Sequence, residues 1–166
     1  MSLILTRKKI LKDIKALVIK DGWNDQLFLN YSKISKFSNE EINALFPAGY
    51  QTLIDMYLEE INLKMTKNSK KINLIRLRTH ERVRELVKLR LKIMLKEKIL
   101  VKKTFIHLLL PFNHRIAYKN LYRTVDQIWF LAGDNSTDFS FYTKRLILAA
   151  IYTNALFIFF NNNIET

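Results

Sequence analysis

An all-helical fold follows from three features of this chain of 166 residues: only three Gly and two Pro, apolar residues at helical spacing, and an apolar content of 49%. Sandwiches and barrels made of strands need a turn about every 8 to 12 residues and usually punctuate it with Gly or Pro. The apolar fraction is enough to build a packed core and too high for a disordered chain. The length suits one compact unit of several helices.

Taken in order, the first helix runs from Leu3 to Lys20, with Leu3, Leu11, Ile14, Leu17 and Val18 on its apolar side, and Asp21-Gly22 stops it. Leu27, Phe28, Tyr31 and Ile34 mark a second, short helix. Ser38 is placed to cap a third, with Glu40 and Glu41 at the positive end of the helix dipole and Ser38 to Glu41 at capping-box spacing. That helix ends before Pro47, and Ala48-Gly49 turns the chain into a fourth, Tyr50 to about Met65. Asn68 and Ser69 form a loop. Lys71 to about Lys98 then reads as one long helix, with Ile72, Ile75, Val83, Leu86, Val87, Leu91, Met94 and Leu95 apolar. Thr104 to Leu110 is a shorter helix closed by Pro111 and Asn113. Two more follow, about Ile116 to Ala132 and Phe139 to Phe160, joined by Gly133-Asp134-Asn135-Ser136-Thr137.

Three short helices before a longer one, with an aromatic-Pro-x-Gly turn between, resemble the start of TetR-type regulators: a helix-turn-helix head on a helical body. The head is expected over 1–50 and the body over 51–166. The third helix should then read DNA, yet it carries Glu40 and Glu41 and has Lys36 only at its edge. From Trp23 to Tyr50 the charges are Lys33 and Lys36 against Asp25, Glu40 and Glu41, a net of −1. A DNA-facing surface should be positive, because phosphate neutralisation supplies most non-specific affinity.

The net charge of +13 lies elsewhere. Lys64 to Lys103 holds 15 Lys and Arg against Glu81, Glu85 and Glu97, or +12. Such a run is ordinarily a solvated helix face, with an anionic membrane surface and nucleic acid as the alternatives. The absence of Cys removes disulfides, thiolate metal sites and cysteine nucleophiles. His80, His107 and His114 have no metal-ligand spacing. His107, among Phe105, Ile106, Leu108 and Leu109, suits a satisfied core histidine. There is no Gly-rich phosphate loop, nucleophile elbow or paired carboxylate on one helix, so no catalytic residue is expected and no metal. The start MSLILTRKKILKDIK turns basic too soon for a secretory segment, which points to a cytoplasmic protein. Leu146 to Phe160 is the most apolar stretch; at fifteen residues it falls short of the roughly 20 needed to span a bilayer and is expected to be a buried helix.

From Val125 the chain reads VDQIWFLAGDNSTDFSFYTKRLILAAIY. Residue chemistry alone gives a helix, a polar turn and a helix capped by Thr137 and Asp138. The string AGDNSTDFSFYTKR closely resembles the signature of the accessory family of ubiquinone (coenzyme Q) biosynthesis. Gly22-Trp23, Ala44 to Gly49, Arg90-Leu91, Leu110-Pro111 and Asn113 stand in that family's order as well. The resemblance implies a TetR-like bundle that pairs through its last two helices into a homodimer. It also implies a bound lipid or isoprenoid quinone precursor and a membrane-associated quinone hydroxylase as partner, while the basic run adds an anionic membrane surface as a candidate partner. It implies no catalysis. The chain would sit in the cytoplasm, peripheral to the inner face of a membrane.

For lipid binding the expected residues are Leu108, Leu109, Trp129, Tyr152, Leu156, Phe157 and Phe160. For the hydroxylase they are Asp126, Ile128, Phe141, Tyr142 and Arg145, the mixture found at interface hot spots. Phe141 replaces the Trp of the family pattern, keeping an aromatic ring and losing an N–H donor. The family's further amphipathic helix does not follow the last body helix, where the chain reads Asn161-Asn162-Asn163-Ile164-Glu165-Thr166. The other function class is a TetR-type DNA-binding regulator with a hydrophobic ligand pocket.

Overall fold

A computed structural model describes residues 3–162. The final residues Asn163 to Thr166, where the sequence reading ends, lie outside the described residues. Among the described residues all regular structure is helical: α1 (Leu3–Asp21), α2 (Leu27–Ser32), α3 (Asn39–Leu45), α4 (Gln51–Ser69), α5 (Thr79–Leu95), α6 (Lys98–Leu108), α7 (His114–Leu131) and α8 (Phe139–Asn162). Single 3-10 turns occupy Leu74–Arg76 and Pro111–Asn113. The chain divides into two compact units, residues 1–59 with 97–116 and residues 60–96 with 117–166.

In the first unit, α1 buries Ile10, Leu11, Ile14 and Val18, the positions that share one side at 3.6 residues per turn. Gly22 ends it at φ +79°, its N–H donating to the Val18 carbonyl at 2.9 Å. α1 packs on α2 and on α6. The expected capping box on α3 is present: the Ser38 hydroxyl accepts from the Glu41 N–H at 3.2 Å and Glu41 accepts from the Ser38 N–H at 2.8 Å. The open C-terminal carbonyl of Leu45 is taken by Arg7, whose Nε and Nη2 donate to it at 2.9 and 2.5 Å. Trp23 donates its indole N–H to Thr104 Oγ1 at 3.0 Å. His107 is buried as expected, its ring against Tyr50 and Phe112, but its Nε2 has no hydrogen-bond partner among the described residues, so it is not the satisfied core histidine expected. Desolvation by burial lowers its pKa, partly offset by the negative charge of Asp25.

In the second unit, α8 turns Leu148, Tyr152, Leu156 and Phe160 inward, and α7 turns Val125 and Ile128 inward. Arg90 on α5 is 2% exposed. Its Nε donates to Tyr152 Oη at 2.7 Å and its Nη1 to Asn62 Oδ1 at 2.5 Å. A buried guanidinium is tolerable because these acceptors replace part of its hydration.

Asn68 and Ser69, expected as a loop, close α4 instead, and two further expectations need correction. The long helix from Lys71 to Lys98 is instead a 3-10 turn, an extended entry at Leu77 and Arg78 (ψ 150° and 157°), and α5. It stops at Lys96, because Glu97 leaves helical geometry at φ −125°, ψ 41°. The expected helix from Thr104 to Leu110 is the second half of α6. Apolar spacing carries on across the break, so periodicity did not reveal it. The buried-helix reading of Leu146 to Phe160 is the second correction. The helix containing that stretch has 24 residues. Only 28% of its most apolar window is buried, and it is long and apolar enough to cross a membrane by length and composition. Its outer side shows Leu146 at 73%, Ile147 at 55%, Ile151 at 57% and Ile158 at 60% exposure. Hydrophobicity states that a surface avoids water, without saying whether its cover comes from this chain.

Candidate functional site

In the second unit, the α7–turn–α8 segment gathers a set of interlocking polar bonds. α7 ends in a Schellman motif: the Asp134 N–H donates to the Trp129 carbonyl and the Gly133 N–H to the Phe130 carbonyl, both at 3.0 Å. Gly133 takes φ +84°, where a side chain would be strained. Arg82 of α5 closes the end, its Nη1 donating to the Ala132 carbonyl at 3.1 Å and its Nε to the Leu77 carbonyl at 2.8 Å. Asp138 caps α8, accepting from the Ser140 N–H at 3.1 Å, as its position in the sequence suggested.

Asp134 does more than turn the chain. Its side chain is 3% exposed and receives Lys144 Nζ at 2.8 Å, Arg145 Nη1 at 3.1 Å and the Ser136 hydroxyl at 2.8 Å. Burial opposes its ionisation. The hydrogen bonds from Lys144, Ser136 and Arg145, with the ammonium charge, outweigh burial and hold its pKa well below the usual carboxylate range. Arg145 is shared, its Nε donating to Asp126 at 2.6 Å while its guanidinium lies 3.3 Å from the Phe141 ring centre. Lys144 sits over the Trp129 ring at 5.6 Å, and the Trp129 indole N–H donates to the Lys144 carbonyl at 3.1 Å. The two helices are thus tied by charge, ring and backbone together.

The five residues expected at a partner surface do gather here, with unequal access. Asp126 is about two-fifths exposed and Tyr142 two-thirds exposed. Phe141 is half-buried beneath Arg145, which is itself buried, and Ile128 has no exposure at all. The residues expected to face lipid divide between the units. Leu108 and Leu109 close α6 in the first, half-buried and exposed. In the second, Tyr152, Leu156 and Phe160 are buried along α8, Trp129 is half-buried and Phe157 is 41% exposed. Sequence reasoning missed Asp134 as an ion-pair centre, together with Lys144, Arg82 and the buried Arg90. The capping pattern hides the first, and no local rule assigns long-range partners to a Lys or Arg.

The COQ9 family model matches residues 115–165, which contain this segment but for His114 at its start. The ubiquinone biosynthesis protein COQ9-B, mitochondrial, of Xenopus laevis is 30% identical over 155 residues, 89% of this chain and 53% of that protein. The chain belongs to the COQ9 family. The human COQ9 relative is 51% identical over 45 residues, 27% of this chain and 14% of its own length. A probable COQ9 relative of Dictyostelium discoideum is 39% identical over 56 residues, 33% of this chain and 18% of its own. The chain spans about half the length of the two Xenopus laevis COQ9 relatives it matches. For this COQ9-family chain, the α7–turn–α8 segment is therefore the candidate site.

Proposed function

We propose that this chain is a non-catalytic accessory protein of ubiquinone biosynthesis that holds a lipid or isoprenoid quinone precursor and presents it to a membrane-associated quinone hydroxylase. The observation that carries the reading is the α7–turn–α8 segment. The family model covers all of it but the first residue of α7, and it combines a hydrogen-bonded polar turn with an outer side on which Tyr142, Leu146, Ile147, Ile151 and Ile158 are exposed and Asn154 is the one exposed polar residue between Tyr142 and Ile158. Its relatives are named as ubiquinone biosynthesis proteins.

In this reading Trp129, Tyr152, Leu156, Phe157 and Phe160 of the second unit serve the lipid. Tyr142, flanked by Asp126 and the Arg145–Phe141 pair, meets the hydroxylase. The head and body follow the TetR plan, and two copies pair through α7 and α8. The relatives are named as mitochondrial; for this chain the corresponding placement is peripheral attachment to a membrane.

Mass spectrometry of an organic extract of the purified protein tests it. A bound isoprenoid or phospholipid at near-stoichiometric amount is the expected result. Protein that stays empty and takes up no isoprenoid quinone when offered one overturns the reading.

A further inference from the structure

On α5 and its C-cap, Lys88, Lys92 and Lys96 stand at four-residue steps, so they follow one side of the helix over about 12 Å. They line a cavity of about 400 Å³ together with Lys71, which follows α4; Asn68, Ile72, Glu85, Leu89 and Ile93 complete it. The four lysines are exposed, Ile72 and Leu89 are half-buried and Ile93 is buried. The concavity therefore joins a cationic rim to an apolar floor.

Glu85 is the one carboxylate in the lining. It pairs with Lys88 at 3.0 Å and lies 3.8 Å from Arg84. Lys71, Lys92 and Lys96 have no carboxylate partner among the described residues. Like charges four residues apart on a helix repel. The negative end of the α5 dipole eases Lys92 and Lys96. It does not account for a fourth lysine from outside the helix on the same cavity, or for three aliphatic side chains between them.

We propose that this cavity binds the phosphate-bearing headgroup of an anionic lipid, with Lys71, Lys88, Lys92 and Lys96 around the phosphate and Ile72, Leu89 and Ile93 against the first carbons of the glyceride. Ammonium groups are effective point-charge partners for phosphate. A free phosphate satisfies the charge and leaves the aliphatic floor in water. An amphiphile uses both. The inference stands apart from precursor carriage, since its test contains no quinone.

The full chain is sedimented at fixed salt with phosphatidylcholine vesicles prepared with and without phosphatidylglycerol. Three proteins are compared: wild type, a Lys88→Glu, Lys92→Glu, Lys96→Glu variant, and a Lys8→Glu, Lys9→Glu, Lys12→Glu variant. The last makes the same charge change on exposed positions of α1. Wild type is expected to bind only vesicles with the anionic lipid, and the α5 variant to bind them about tenfold or more weaker. The α1 variant should stay close to wild type. Circular dichroism checks folding, and a Lys→Gln version of the α5 triple replaces the reversal if that fails to fold. Equal losses in both variants would mean general attraction and overturn the site. Complete displacement of vesicles by sub-millimolar inorganic phosphate would make it a small-anion site and overturn the lipid assignment. Stronger binding to duplex DNA than to vesicles, lost in the same α5 variant, would overturn it in favour of nucleic acid.

Discussion

At Asp134 a carboxylate meets an ammonium, a guanidinium and a hydroxyl inside two turns of chain, which makes it the residue whose loss should be felt most. Asp134→Asn takes the counter-charge from Lys144 and leaves Arg145 with Asp126 alone, and should cost roughly 2 kcal/mol, read as a lower urea midpoint at neutral pH. Its pH dependence has a definite sign. The folded pKa is depressed, so the contribution is present above the unfolded value of 3.8 and is lost as pH falls from there through the folded pKa. Wild type should therefore lose stability along that acid limb while Asp134→Asn changes less. An acid limb equally steep in both proteins would assign it to other groups. Phe141 and Tyr142 are neighbours with different expectations. Phe141→Ala removes the ring beneath Arg145 and should lower the melting temperature by several degrees, because a cation–ring contact and buried area go together. Tyr142, 66% exposed, should tolerate Ala with little change in melting while binding to the quinone hydroxylase weakens by roughly 2 kcal/mol. A Tyr142→Ala protein that binds as wild type moves the partner surface elsewhere. None of these distinctions was legible in the sequence beyond the bare gathering of five residues, because exposure is set by neighbours that the local string does not name.

Helices were legible where a chemical stop or start marks them. Ser38 with Glu41, Gly22, Gly49, and Gly133 with Asp138 each fix a boundary by capping or by a positive φ, and the structure has those boundaries within a residue or two. The break at Lys96-Glu97 has no such mark. Ile93 and Met94 before it and Leu100 and Val101 after it are all buried, so the apolar pattern runs through unbroken. The α7–α8 turn shows how strongly one boundary can depend on one residue. Gly133→Ala places a Cβ at φ +84°, 3.2 Å from Arg82 Nη1. The arginine end can move aside; the backbone cannot, and the left-handed conformation should cost about 1 to 2 kcal/mol. Thermal melts should show that loss, and it should persist in an Arg82→Ala background where the contact is absent. If Arg82→Ala abolishes the cost, the strain is steric rather than conformational.

The molecule as a whole carries more apolar surface than a lone chain should. Tyr118, Tyr122 and Phe130 on α7 and Phe139, Leu146, Ile147, Ile151 and Ile158 on α8 all stand exposed, some at 70% or above. Contiguous patches of this kind mark a surface covered by something else. Within the accessory-protein reading the cover is a second copy, since α7 and α8 present Tyr, Phe, Leu and Ile in the proportions of a helix-bundle interface. Association coupled to folding makes stability depend on concentration: a dimer's melting temperature rises with protein concentration, whereas a monomer's does not. Wild type should show that rise, together with dimer mass in sedimentation at micromolar concentration. Leu146→Glu combined with Ile151→Glu changes two outward residues without touching the buried side of α8, so helix content should hold. Those charges should abolish dimer mass and the concentration dependence together. If wild type is monomeric and indifferent to concentration, and the same substitutions instead release it from neutral vesicles, the outer side of α8 meets a bilayer rather than its own copy. The 24-residue length of the helix makes that the direct competitor, and both outcomes can be read from the same two proteins.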